Sequence, residues 1–230
     1  MKESEFDRFA AEYHATHARN IGASGEPPEF FARYKVLDTL RLCHAAGLAP
    51  ARILDFGCGI GSSIPWLSRC FPQSEIVGAD VSRRSLEIAA ERAGGLARFV
   101  RIEEGRGTIG ESGFDLLFSA CVFHHIDHDD HAHWLSELRR IARPGAMLVV
   151  FEHNPWNPLT MRAVSTCEFD ENARLLTPFT LRRRLRDVGW GQARHEYRIF
   201  FPHLLAALRP LERALAWLPL GAQYLVAARA

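Results

Sequence analysis

The sequence predicts an α/β fold in which short buried strands form a mostly parallel sheet and helices cover it. Three observations carry that prediction. From about residue 50 onward, short apolar runs alternate with segments of helical period, the pattern of repeated strand–helix units. The first run passes directly into a bare turn, LDFGCGIGSS, with glycines at positions 57, 59 and 61. The second run, IVGAD, ends on an acid, Asp80, where such a sheet presents its carboxyl edge.

Taken in order, residues 3–46 read as helix in two pieces separated by GASGEPP, and strands follow at 52–56, 75–79, 97–102, 114–119 and 146–152. Helices fill the gaps. The one over 129–142 shows its buried face as Trp134, Leu135, Leu138 and Ile141 and stops before Pro144-Gly145. A later helix opens with Thr177 as N-cap and Pro178 at its first position and closes at Gly189. Apolar runs at 193–201 and 223–228 pair as an antiparallel edge, with a helical stretch over 204–217 between them whose many leucines imply core or lid packing. The chain divides into a helical N-terminal part, 1–48, and one α/β domain, 49–230.

Composition sets the class of partner. At 230 residues, 47% hydrophobic and 24% charged, the chain has the make-up of a globular domain with a sizeable core. A net charge of +1 generates no long-range field for nucleic acid or an anionic membrane, which favours a small-molecule partner. Cys43, Cys58, Cys70, Cys121 and Cys167 stand singly, without a CxxC pair, so they suit a reducing cytoplasm and not a thiolate metal cage. The first twenty residues lack the apolar core of a signal peptide, and no window approaches the roughly 18 apolar residues of a membrane span. A cytoplasmic location is expected.

A strand, a glycine-rich turn and a helix together point unpaired backbone N–H groups at a ligand beyond the sheet. The dinucleotide fingerprint is G-x-G-x-x-G, whereas Gly57, Gly59 and Gly61 run G-x-G-x-G with Asp55 ahead of them, which weakens a nicotinamide reading. Asp80 stands 19 positions beyond Gly61, where a carboxylate accepts hydrogen bonds from both ribose hydroxyls.

ILDFGCGIGSSIPWL, followed by IVGADVS and then FDLLFSACVFHHI, resembles the class I S-adenosylmethionine-dependent methyltransferases over about residues 50–152. The resemblance implies a Rossmann-like three-layer sandwich with a seven-stranded, mostly parallel sheet whose last strand is antiparallel. It implies S-adenosylmethionine as cofactor, with Gly57, Gly59 and Gly61 under its methionine and ribose. Asp55 would support the loop or the amino group, Asp80 the ribose, and Ser119 the methionine part. After the third strand, Glu103 and Glu104 share the position facing adenine. The N-terminal FDRFAAEYHATHARN resembles the family's helical lid, from which Tyr13, His14 and His17 reach donor or acceptor; Arg33 and Tyr34 have a weaker claim.

The remaining chemistry lies in HHIDHDDHAHW, 124–134. Its acids and histidines suit a solvated helix start better than a metal site, so no metal is expected. A methyl donor on a sulfonium is already activated, so the protein chiefly aligns two reactants, and a base matters for a hydroxyl or protonated amine acceptor. His124, His125 and His153 are the candidates; His124 equally reads as a buried, satisfied histidine. Glu152 is a further pocket candidate, and LRRRLRDVGW reads as a solvated face. The expected protein is a methyltransferase of a small-molecule hydroxyl or amine, monomeric or homodimeric. The alternatives are a nicotinamide-dependent oxidoreductase and a non-catalytic binding protein of the same fold.

Overall fold

Strands whose residues alternate between two apolar faces build one seven-stranded sheet in this computed structural model, which describes residues 22–103, 105, 107–167 and 171–230. The strands are β1 (Arg52–Phe56), β2 (Glu75–Asp80), β3 (Arg98–Arg101), β4 (Phe114–Ala120), β5 (Ala142–His153), β6 (Gly191–Arg198) and β7 (Gln223–Arg229). They lie in the order β3-β2-β1-β4-β5-β7-β6. The neighbours among β1 to β5 pair in parallel, and β7 runs antiparallel to both β5 and β6. The winding reverses between β1 and β4, so the crevice beyond their carboxyl ends is where a ligand of an open α/β sheet belongs.

The helices are α1 (Pro28–Ala45), α2 (Ile64–Cys70), α3 (Arg83–Ala93), α4 (His131–Ile141), α5 (Pro158–Ser165) and α6 (Pro178–Asp187). Odd-numbered Ile53, Val149, Phe151 and Leu225 pack with Val36 and Cys43 of α1 and Ile64 and Leu67 of α2. Even-numbered Leu54, Phe56, Leu148, Val150 and Val226 pack with Trp134 and Leu138 of α4 and Leu181 and Leu185 of α6. Each such side chain, fully buried, contributes about 1.5–3 kcal/mol. Thr177 caps α6 through the Thr180 N–H at 3.1 Å, with Pro178 at the first position as expected.

Two expectations are corrected. Pro144-Gly145 does not separate α4 from the next strand: β5 starts at Ala142, and its register against β4 jumps from Phe114↔Ala142 to Leu116↔Met147. The irregularity, with Gly145 at φ 82°, absorbs the proline within the strand. The two late strands do pair antiparallel at one edge of the sheet, with β7 inserted between β5 and β6. Tyr224, Leu225 and Val226 are buried in succession, as an interior strand requires, whereas β6 has exposed positions and takes the edge. The stretch after β6 is a 3₁₀ run, His203–Arg213, broken at Leu205 and containing Pro210. At three residues per turn, Leu205, Leu208 and Leu211 fall in one row, and all three are exposed, not packed into the core.

Among the described residues, no helix is long and apolar enough to cross a membrane. Tyr13, His14 and His17 lie outside the described residues, as does Glu104.

Candidate active site

The turn between β1 and α2 begins where the Gly57 and Cys58 N–H groups both donate to the Ala79 carbonyl, at 2.8 and 3.1 Å, tying the loop to β2. Gly57, Gly59 and Gly61 all adopt positive φ, the region that favours glycine. Their surroundings differ. A Cβ on Gly57 would stand 2.4 Å from Val122, and one on Gly61 would stand 3.2 Å from Ala89 of α3. A Cβ on Gly59 would meet nothing within 4 Å. Two glycines are therefore required by protein packing, and only Gly59 turns its bare backbone to open space.

Two acids flank that glycine. Asp80, at the end of β2, accepts from the Gly59 N–H through Oδ2 at 2.8 Å and from the Ser82 N–H through Oδ1 at 2.9 Å. Asp55, on β1, is buried, and its Oδ2 has no hydrogen-bond partner among the described residues. Burial first and the Asp80 charge second lift the Asp55 carboxyl to about 7, against a smaller opposing effect of Lys35. Ser119, near the end of β4, is also fully buried with an unpartnered Oγ. An unpaired buried carboxylate oxygen and hydroxyl cost free energy that a donor from a ligand would recover. Glu103 is exposed just past β3.

Across β4 the chemistry is of another kind. Cys121 follows the strand at φ 60°, and a short 3₁₀ turn, Phe123–His125, comes next. Glu152, fully buried on β5, holds this turn: its Oε1 accepts from the Val122 and Phe123 N–H groups at 3.1 and 2.7 Å, and its Oε2 lies 2.5 Å from His124 Nδ1. Burial pushes Glu152 upward, but His124, His153 and the Phe123 N–H together outweigh it and keep the carboxyl below its ordinary value. The His125 and His153 rings stand 4.1 and 5.1 Å from that of His124. The structure thus brings the three candidate histidines together and makes Glu152 the residue that positions one of them.

The other histidines of the motif are fasteners. His131 donates from Nε2 to the Phe123 and Ile126 carbonyls at 2.9 and 3.0 Å, while its Nδ1 accepts from Arg184. Burial and Arg184 push it down to about 4, so it is neutral at ordinary pH. His133 Nε2 lies 2.8 Å from the Gly107 carbonyl, and His128 Nε2 lies 3.3 Å from that of Arg174. Among the described residues, no group of three or more His, Cys, Asp and Glu is placed to hold a metal ion.

Four residues of this region were given no or little role by the sequence. Lys35 and Tyr34 come from α1, Cys121 from the end of β4 and Gln223 from the start of β7. Lys35 Nζ lies 3.4 Å from Cys121 Sγ, Tyr34 donates to Gln223 Oε1, and Gln223 Nε2 lies 3.5 Å from His153 Nδ1. One signal existed for Lys35: it occupies the i+4 place after Phe31 and before Thr39 in the buried row of α1.

The sheet order, the open Gly59 turn and the acids of β1 and β2 resemble those of class I S-adenosylmethionine-dependent methyltransferase domains. Residues 54–148 match the methyltransferase domain family. The chain is similar to demethylmenaquinone methyltransferase of Deinococcus radiodurans, 34% identical over 110 residues that make up 46% of this chain and 45% of that protein. It is also similar to trans-aconitate 2-methyltransferase of Pseudomonas aeruginosa, 32% identical over 177 residues, 75% of this chain and 62% of the relative. The chain therefore spans about half to three-fifths of the length of these two relatives. In fold it is like a S-adenosylmethionine-dependent methyltransferase of Thermotoga maritima, with a TM-score of 0.69 at 19% identity, covering 99% of this chain and 98% of that one.

Proposed function

We propose that the protein transfers the methyl group of S-adenosylmethionine to a hydroxyl or amine of a small molecule. The observation that carries this reading is the open backbone of Gly59 beside a buried carboxylate, Asp55, one oxygen of which lacks a partner among the described residues. Such an oxygen suits the ammonium of an amino-acid moiety. Ser119 Oγ would serve the same end of the ligand. Asp80 would hold the ribose, since a carboxylate has acceptor sites beyond those used by Gly59 and Ser82. Glu103 would face the adenine end, and the segment 1–48 would form the roof.

When bound, S-adenosylmethionine supplies a methyl group on a sulfonium already activated for in-line displacement. The chain's own task is to orient the acceptor and take a proton from it. His124, 2% exposed, is the base in this reading: its Nδ1 faces Glu152, whose carboxylate stabilises the ring once it is protonated. His125 and His153, both half-buried, line the approach. Relatives named for demethylmenaquinone and trans-aconitate support a small-molecule acceptor.

Calorimetric titration tests the donor assignment. S-adenosylhomocysteine binds and NADH does not; the reverse result overturns the reading. For the base, His124→Ala lowers turnover by about 10² to 10⁴ with cofactor affinity nearly unchanged. A wild-type rate in that variant moves the role to His125 or His153.

A further inference from the structure

The buried row of α1 consists of Phe31, Ala32, Lys35, Val36, Thr39 and Cys43, and one member carries a full charge. Lys35 is 7% exposed. Among the described residues no carboxylate lies within ion-pair distance of its ammonium, and its hydrogen-bond acceptor is the sulfur of Cys121, at 3.4 Å. An ammonium has three donors, and among the described residues its one hydrogen-bond acceptor is a sulfur, a weaker acceptor than a carboxylate oxygen. Thr39, one turn on, illustrates the contrast, because its hydroxyl is satisfied by the Lys35 carbonyl at 2.9 Å.

A second donor reaches the same sulfur. Gln223 is buried at the start of β7, and Tyr34 donates to its Oε1, which turns the amide NH₂ toward Cys121 Sγ at 3.9 Å and His153 Nδ1 at 3.5 Å. Cys121 and His153 are half-buried, so the cluster is reachable from solvent. Donors held by α1 and β7 thus meet at a point with no oxygen anion from the described residues. That point lies at the ends of β4, β5 and β7, on the opposite side of β4 from the Gly59 turn.

We propose that Lys35 and Gln223 form an anion subsite that binds a carboxylate of the methyl acceptor. The inference rests on the methyltransferase reading for the word acceptor, but the anion site itself does not. A carboxylate there replaces the sulfur as partner of Lys35 with charge-assisted hydrogen bonds, and it selects acceptors that carry an acid close to the methylated atom. The other source of the same chemistry is the donor's own carboxylate, and the experiment separates the two.

The probes are benzoate and its neutral isostere benzamide, at constant ionic strength, with and without S-adenosylhomocysteine. The readout is iodoacetamide labelling of Cys121, followed by mass spectrometry of its peptide. Benzoate slows labelling by about tenfold more than benzamide does, the loss expected of one charge-assisted contact. Lys35→Met abolishes that difference while S-adenosylhomocysteine affinity stays within about threefold, and Lys35→Arg, which keeps the charge, retains it. Equal effects of the two probes on the parent protein overturn the subsite. So does a benzoate effect that survives in Lys35→Met. Loss of about tenfold or more in S-adenosylhomocysteine affinity in Lys35→Met gives Lys35 to the donor's carboxylate and overturns the acceptor assignment. If S-adenosylhomocysteine fails to bind the parent protein yet benzoate still protects Cys121, the methyltransferase reading falls and the anion site stands.

Discussion

The two sides of the β1/β4 crevice treat buried polar groups in opposite ways. On the side of the Gly59 turn, Asp55 Oδ2 and Ser119 Oγ are buried without partners among the described residues. On the side of β5, Glu152 is just as buried, yet its carboxylate accepts two backbone N–H groups and meets His124. The first arrangement is costly until a ligand completes it. The second is complete in itself and fixes the direction of the His124 ring. In the proposed reading, the binding half is marked by what it leaves unsatisfied and the catalytic half by how firmly it is held.

The largest expected effect breaks the held half. Glu152→Ala strands two buried N–H groups and His124, and losing one member of a buried ionic pair costs about 3 to 5 kcal/mol. At about 2 to 4 °C per kcal/mol for a chain of this size, the melting temperature falls by about 10 °C. A melt within about 2 °C of the parent's shows that the turn 122–124 is held by something else.

The corresponding change on the unsatisfied half has the opposite sign. Asp55 is an acid raised in the folded state from 3.8 to about 7, so its burial costs nothing below the unfolded value and its full cost above the folded one. That shift corresponds to about 4 kcal/mol. Asp55→Asn therefore raises the melting temperature at about pH 8, and the gain shrinks toward about pH 4.5, while S-adenosylhomocysteine affinity drops. Thermal melts at the two pH values check it. A variant less stable than the parent at the higher pH would show that the carboxylate is satisfied in the native state.

The binding half was largely legible in the sequence, whereas for the held half the residues were legible but not their pairing. Short apolar runs gave the strands, and glycines followed by Asp80 gave the turn, because both signals are local in sequence. Even there the glycines read alike, although Gly57 and Gly61 answer to Val122 and Ala89, residues their neighbours in the chain do not reveal. The partners of the held half are distant: 28 positions separate His124 from Glu152, and 86 separate Lys35 from Cys121. No periodicity records such pairs. The 203–213 leucines were misread for a related reason, since apolar content predicts burial only where a regular helix can present one face to the core, and Pro210 with the break at Leu205 prevents that.

A smaller effect sharpens the comparison through two cysteines. Burial pushes the Cys43 thiol up to about 12, with only a weak opposing effect from Arg229. Burial acts the same way on Cys121, but Lys35 and His153 outweigh it and bring the thiol down to about 7. Only the thiolate is alkylated. Labelling of Cys121 by iodoacetamide should rise through a midpoint near pH 7, and Cys43 should remain unlabelled in the native protein. A Cys121 midpoint at the ordinary thiol value would show that Lys35 does not act on the sulfur, which would remove the electrostatic basis of the α1 contact.

The smallest effect joins the two halves of the argument at Asp80. Its carboxylate already restrains the Gly59 N–H and the Ser82 N–H, so it shapes the turn before any ligand arrives. Two ribose hydroxyls would add charge-assisted hydrogen bonds to the same oxygens, each worth roughly 1.5 to 3 kcal/mol. Asp80→Asn keeps the size and one acceptor oxygen, so part of the restraint on the turn survives while the charge is lost. Affinity for S-adenosylhomocysteine should fall by about tenfold, since 1.4 kcal/mol is one decade. Adenine should bind parent and variant alike, because it lacks the ribose. Equal losses for S-adenosylhomocysteine and adenine would mean that Asp80 acts only through the shape of the Gly59 turn, and the ribose would then have to be held by another group.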